Sequence, residues 1–408
     1  VTLQDQPLLS IEPVLKDYAW GDTVFIPGVL GRPATGEPVA EAWYGAHAQG
    51  PSPVSGAPGL TLDALIAGGC EHWLGGEASA RYGELPFLVK LLAAARPLSI
   101  QVHPDPAQAR AGFEREEAAG IPRDAPHRCY GDPRAKPELM LALEPFEALC
   151  GFRSPEEIRD ALARQTELAP LSSAFRPGWS GYRDLLELWF AMPDTEVRDR
   201  QSAMLERLAS AAQCTEAERL LLEIAAQWPG DLAGDRGLLF ALLLERVCLA
   251  PGEAMFLKAG VPHAYLRGAG LEVMASSDNV LRAGLTPKRV AAQELLRIVR
   301  FAEGGWSRVA ASPVDAVSRR WQTAASEFEL SMIELAGADA ACVEWLTTGP
   351  EIMILLRSEG DAVRVGAADL ELALSSGGAC FIGAGVDVRL SGAGAVARVA
   401  VPRIATAG

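Results

Sequence analysis

Short alternations of apolar and polar residues, broken every few positions by Gly or Pro, fill the first 150 residues and predict strands and loops rather than long helices. At Ser154-Pro155-Glu156-Glu157 the texture changes. Ser at the N-cap, Pro in the first turn and Glu at the third position predict a helix start. Helical spacing continues to about residue 230, through Tyr182-Arg183-Asp184-Leu185-Leu186-Glu187-Leu188 and Met204-Leu205-Glu206-Arg207-Leu208. Pro229-Gly230-Asp231 ends it. The β pattern returns with Val247-Cys248-Leu249 and Ala254-Met255-Phe256-Leu257 on either side of the turn Ala250-Pro251-Gly252-Glu253. Thr286-Pro287-Lys288 predicts an amphipathic helix reaching about Arg300, with Thr286 as N-cap. From about residue 322, alternating segments such as Glu351-Ile352-Met353-Ile354-Leu355-Leu356 and Ala379-Cys380-Phe381-Ile382 recur every eight to twelve residues and predict an antiparallel sandwich or barrel. The plan is mainly β with an α insert. It divides into a β unit of residues 1–152 and 235–320, a helical insert of 153–234, and a C-terminal β unit of 321–408.

Composition narrows the class. With 408 residues, 49% hydrophobic and 22% charged, the chain can bury large cores in two or three units. Apolar runs such as Gly237 to Leu244 fall far short of the roughly 20 residues a membrane span needs. Val1 to Pro13 has no basic segment followed by an apolar stretch, so no leader and a cytoplasmic location are expected. The seven cysteines are scattered without C-x-x-C spacing and read as mostly buried thiols in a reducing compartment. A net charge of −15 argues against nucleic acid as a partner. An anionic small substrate would need a local cationic patch working against that field.

Candidate chemistry concentrates in three places. In Ser99-Ile100-Gln101-Val102-His103-Pro104, strand alternation puts Ser99, Gln101 and His103 on one face and Ile100 and Val102 on the other. Glu138 opens an apolar strand after Lys136-Pro137, and His263 follows Pro262 between two β-like segments. Taken singly, each suits an exposed strand face, a loop-end charge or a turn histidine. Together, two imidazoles, a carboxylate and an amide oxygen form a mixed N/O set suited to a borderline divalent ion such as zinc. Lys90, inside the apolar run Leu85 to Leu91, requires an acidic or phosphate partner. The charge run Arg110 to Glu117 reads as a solvated helix face.

In order along the chain, Lys16-Asp17-Tyr18-Ala19-Trp20-Gly21, Glu41-Ala42-Trp43-Tyr44-Gly45-Ala46-His47, Ser99 to Pro104, Lys136-Pro137-Glu138, Pro262-His263-Ala264-Tyr265 and Leu271-Glu272-Val273-Met274 through Ser277-Asp278-Asn279-Val280-Leu281-Arg282-Ala283-Gly284 resemble the type I phosphomannose isomerase (mannose-6-phosphate isomerase) family. The blocks cover about the first 300 residues. The resemblance implies a cupin-type (jelly-roll) β-barrel core, a helical insert and a C-terminal cupin-like β domain. It implies one zinc ion (Zn2+) per chain on Gln101, His103, Glu138 and His263. Arg282, Lys136, Glu272 and Asp278 become the expected catalytic residues, with Ser99, Trp20, His47 and Lys90 around the substrate. The implied reaction interconverts mannose 6-phosphate and fructose 6-phosphate through an enediol, which needs a general base and stabilisation of charge on oxygen. Arg282 suits either the enediolate or the phosphate. Trp20 suits core or pocket wall, and His47 suits support of the site or of the fold. A monomer is expected, with a sugar phosphate as its partner.

One position departs from the family pattern. Ala135 stands before Lys136 where the family usually has a histidine assigned to opening the sugar ring. Either Lys136 and Asp278 manage that step, or His127 moves in, or the substrate range has drifted. The rival readings are an isomerase of another or unphosphorylated sugar, a cupin oxygenase with a two-histidine, one-carboxylate iron site, and a sugar-binding cupin without turnover.

Overall fold

The computed structural model describes residues 6–176, 179–227, 234–337, 342–360 and 362–403. The predicted break at Pro229-Gly230-Asp231 lies outside these residues. The metal-ligand candidates sit on a sheet of eleven strands whose spine is the long strand His263–Ala275. Its first half pairs with Phe146–Phe152 and, through His263, with Ile100–Val102. Its second half pairs with Phe87–Ala94 and Glu138–Ala142. The change of partner falls at a register shift between Tyr265 and Arg267, followed by Gly268 at φ 109°. A Cβ at Gly268 would meet the Pro145 carbonyl oxygen at 2.3 Å, so only glycine permits this close crossing.

Alternation sorts the sheet into two faces. Val89, Leu91, Leu139, Leu141, Leu271 and Val273 enter one apolar cluster, while Lys90, Glu138 and Glu272 point the other way. Ile100 and Val102 bury against the helical insert, in a cluster with Leu162, Trp189 and Leu238. That packing leaves Gln101 between them directed to the opposite side.

The C-terminal strands form a seven-stranded and a four-stranded antiparallel sheet, packed around Ile333, Met353, Val365 and Leu390. The seven-stranded sheet also recruits Leu8–Ile11, paired with Ala379–Ile382. Its opposite face shares the apolar cluster of the eleven-stranded sheet, contributing Trp321, Ile352 and Phe381.

Several expectations change. Among the described residues the strands that carry the ligand candidates form an open, branched sheet instead of the expected closed jelly-roll barrel. The first 150 residues contain two thirteen-residue helical segments, Cys70–Tyr82, which is kinked at Gly75, and Pro106–Ala118. The second begins at a capping box of Asp105 with Gln108. It carries the predicted charge run, but Glu116 turns inward and accepts from the backbone N–H groups of Cys129 and Tyr130. Ser154 and Glu157 form the predicted capping box of the helix Pro155–Ala163. Thr286 is not an N-cap: the helix runs only over Ala292–Ile298. The Thr286 hydroxyl accepts from Lys288 N–H, and Asp235 ties down the N–H groups of Leu285 and Thr286, holding the chain in a turn. No described helix is long and apolar enough to cross a membrane.

Candidate metal centre and active site

His103, Glu138 and His263 are buried, and their ligand atoms lie within 4.8 Å of one another. His103 Nε2 stands 3.3 Å from Glu138 Oε1 and His263 Nε2 stands 3.5 Å from Glu138 Oε2. Each histidine spends its Nδ1 proton on a backbone carbonyl, His103 on Asn279 at 2.7 Å and His263 on Val261 at 2.9 Å. Both Nε2 atoms therefore present lone pairs to a carboxylate, which has no proton to offer them. His103 Nε2 is buried without a hydrogen-bond partner. Burial lowers the His103 pKa, keeping the ring neutral. Burial works against the charge of Glu138, and the Lys136 ammonium beside it helps hold the carboxyl below its usual range. Two bare imidazole nitrogens converging on a carboxylate, with no proton between ring and carboxylate, fit a divalent cation, and carbonyl-anchored imidazoles are the usual support for such ligands. Gln101 lies directly opposite His263 in the ladder and lines the same cavity.

Beside this cluster runs a buried chain of charges. Lys90 Nζ is 2.9 Å from Glu272 Oε2 and 3.9 Å from Glu41 Oε1. Burial alone would discharge the ammonium, but the two carboxylates hold its pKa above the usual lysine value. The predicted acidic partner of Lys90 is thus Glu272, set opposite it in the strand register. Tyr265 donates to Glu272 Oε1 at 2.9 Å, and the Trp43 indole donates to Glu41 Oε2 at 2.6 Å. Lys136 Nζ reaches Glu138 Oε1 at 3.2 Å. Ser99, Gln101, Lys136, Glu138, His263, Tyr265 and the charges Glu41, Lys90 and Glu272 line one cavity.

The other expected residues, Trp20, His47, Asp278 and Arg282, are not among those lining that cavity. Trp20 is half-buried, stacked on Tyr18 at 5.7 Å, and packs on the core behind Leu92 and Leu98. Arg282 stands opposite Gln101 in the ladder, on the same face. It has no side-chain partner among the described residues, and burial lowers its pKa. The Arg282 charge in turn lowers the pKa of the exposed Lys288. Asp278 is exposed, with His47 Nε2 at 3.3 Å. His127 is also exposed, its carbonyl accepting from Arg289.

Sequence reasoning missed Glu41, Tyr265, Lys288, Asn279 and Asp132. Asn279 is fully buried; its side chain accepts from Gly131 N–H and donates to the carbonyls of Asp132 and Arg134. Ser277 Oγ donates to Asp132, and Asp132 also accepts from Asp278 N–H. This clasp fixes the loop leading to Lys136 and Glu138 while Asn279 orients His103. The signal available was the run Ser276-Ser277-Asp278-Asn279 itself, four short polar residues directly after the apolar strand end Val273-Met274-Ala275.

A buried His-Glu-His cluster on a mainly β scaffold with a helical insert defines a metal-centred protein whose cavity is lined by paired charges. Residues 8–155 match the family model of the phosphomannose isomerase type I catalytic domain. The chain is 38% identical over 392 residues to the mannose-6-phosphate isomerase of Escherichia coli (strain K12), covering 94% of this chain and 97% of that one. It is 31% identical to mannose-6-phosphate isomerase 1 of Arabidopsis thaliana, covering 92% and 89%. The crystal structure of the Salmonella typhimurium mannose 6-phosphate isomerase bound to its substrate fructose 6-phosphate and zinc superposes with a TM-score of 0.85 at 35% identity, covering 98% of this chain and 100% of that one. The chain belongs to the type I phosphomannose isomerase family.

Proposed function

We propose that this chain is a zinc-dependent isomerase interconverting mannose 6-phosphate and fructose 6-phosphate, with His103, Glu138, His263 and Gln101 holding the metal. The observation that carries the reading is the convergence of two unprotonated imidazole nitrogens on a buried carboxylate, in a member of this family. Zinc, when bound, supplies positive charge that polarises sugar oxygens. The division into residues 1–152 with 235–320, 153–234 and 321–408, and a cupin-type ancestry of both β units, belong to the same proposal. Within it, Leu8–Ile11 is a strand of the first unit lent to the sheet of the last.

The chain's own groups supply positioning and proton transfer. Arg282 and Lys288 lie near enough for the Arg282 charge to lower the Lys288 pKa, and neither has a salt-bridge partner among the described residues, which suits the pair to the phosphate of the substrate. This favours phosphate over enediolate for Arg282. Glu272 is steadied by Lys90 on one oxygen and by Tyr265 on the other, which aims it across the cavity. Lys136 stands against Glu138 and extends its charge toward Asp278, which supports a role for Lys136 and Asp278 in moving protons between sugar oxygens and carbons. Ser99 and Trp20 would flank the sugar at the cavity's edge.

Metal analysis alongside a coupled assay tests the reading. Bound zinc, activity on mannose 6-phosphate, loss of activity on chelation and its return with zinc are expected. Full activity after rigorous chelation would remove the metal from the reaction. A higher kcat/KM for free mannose than for mannose 6-phosphate would remove the phosphate.

A further inference from the structure

Of the five histidines, His103 and His263 belong to the metal cluster and His72 and His127 are exposed. His47 is the remaining one, and it is buried. It sits in the turn after the strand Glu41–Gly45, edge-on to Trp43 at 5.3 Å. Gln49 N–H donates to its Nδ1 at 3.2 Å. Nδ1 is therefore a lone pair, and the neutral ring carries its proton on Nε2. That atom faces Asp278 Oδ1 at 3.3 Å. The backbone beside Asp278 is equally fixed, since its own N–H donates to Asp132 and the next residue, Asn279, orients the metal ligand His103.

From this geometry we infer that His47 is a positioning residue, its locked Nε2–H holding the Asp278 carboxylate in one orientation as a proton acceptor for the sugar. The inference rests on the proposed role of Asp278 in proton transfer. His47 keeps its proton throughout; a proton gained by Asp278 is one lost by a sugar hydroxyl. Trp43 adds rigidity, because its indole is itself tied to Glu41 and its ring packs against the imidazole. The charged and titratable groups facing Asp278 are His47, Lys136, Tyr18 and Asp132, with the Gln49 amide beside them. Glu84, paired with Arg134, is a further carboxylate near His47. Burial raises the Asp278 pKa, and His47 with Lys136 more than reverses this, leaving it below the usual aspartate value.

The sign follows from that direction. Without the Nε2–H donor the carboxyl protonates at higher pH, so the acid limb of kcat/KM moves up by about one unit. His47→Ala is expected to show that shift together with a kcat lowered about tenfold. His47→Gln, whose amide N–H can replace Nε2–H, is expected to restore most of both. With five histidines in the chain, ¹⁵N correlation spectra can report the ring directly. His47 is expected as the Nε2–H tautomer in the folded protein, its signal identified by loss in His47→Gln. An acid limb that stays in place in His47→Ala, or an Nδ1–H tautomer, overturns the inference. If His47→Ala does not fold, judged by its melting temperature and metal content, His47→Gln and the tautomer decide. Asp278→Asn separates the two layers of argument. Full activity in that variant defeats the proposed role of Asp278 itself, whereas an inactive Asp278→Asn beside an unmoved His47→Ala profile defeats only the positioning role.

Discussion

His103 and His263 each point a bare nitrogen at Glu138 because each has already given its other ring proton to the backbone. Nothing in the neighbouring sequence announces this, since the carbonyl that orients His103 belongs to Asn279, far along the chain. The candidate ligands were legible as a set through the blocks around them, whereas Glu41 and Tyr265 gained meaning only when folding brought Lys90 and Glu272 to them. The same distinction separates Arg282 from Lys288, the first visible in its block and the second visible only in space. If the two jointly hold phosphate, Arg282→Ala and Lys288→Ala should each raise KM for mannose 6-phosphate with a smaller effect on kcat. Loss of a charged hydrogen bond worth about 1.5–3 kcal/mol corresponds to roughly a ten- to hundredfold fall in kcat/KM. A loss confined to kcat would return Arg282 to the enediolate. Glu138→Ala should lose bound metal as well as activity, since two imidazoles remain without their carboxylate. Retention of stoichiometric zinc in that variant would exclude Glu138 as a ligand.

Elements with local signals were readable, and those decided by distant partners were not. Ser154 and Glu157 satisfy each other within one turn, so the start of the insert could be placed from four residues. Thr286 looked equivalent, but Asp235 competes for its backbone and the helix begins six residues later. The long strand His263–Ala275 hides its most consequential feature in Gly268, where one strand changes partners and brings His263 and Glu272 to the same cavity. Gly268→Ala should therefore destabilise the protein by more than positive φ alone requires. Gly252, at φ 86° with open space around it, is the control, because its alanine variant meets only the backbone cost of about 1–3 kcal/mol. Gly268→Ala adds a clash with Pro145 and should fall further in melting temperature and bind zinc less tightly. Equal melting temperatures for the two variants would show that the crossing relaxes without consequence.

Across the whole molecule the eleven-stranded sheet and the seven-stranded C-terminal sheet share one apolar layer. The alternation of each segment was visible in sequence, but which faces would meet was not, and neither was the pairing of Leu8–Ile11 with Ala379–Ile382 from the opposite end of the chain. That pairing carries Leu9 and Ile11 into the same cluster as Val89, Leu139 and Phe381. Phe381 is fully buried and lies against Trp73 with ring centroids 5.8 Å apart, so a C-terminal strand is packed onto the helical segment Cys70–Tyr82. Phe381→Ala removes this contact far from the metal and should cost about 3–5 kcal/mol. If the two sheets unfold together, calorimetry of the metal-free protein should show a single transition in wild type and variant alike, shifted to lower temperature by the substitution. Zinc should raise the midpoint of both, because metal binding to the first sheet stabilises everything that melts with it. A Phe381→Ala trace split into an early transition insensitive to zinc and a later one that responds to it would mean that the C-terminal sheet is an independent unit, and that the shared layer joins two bodies without coupling them.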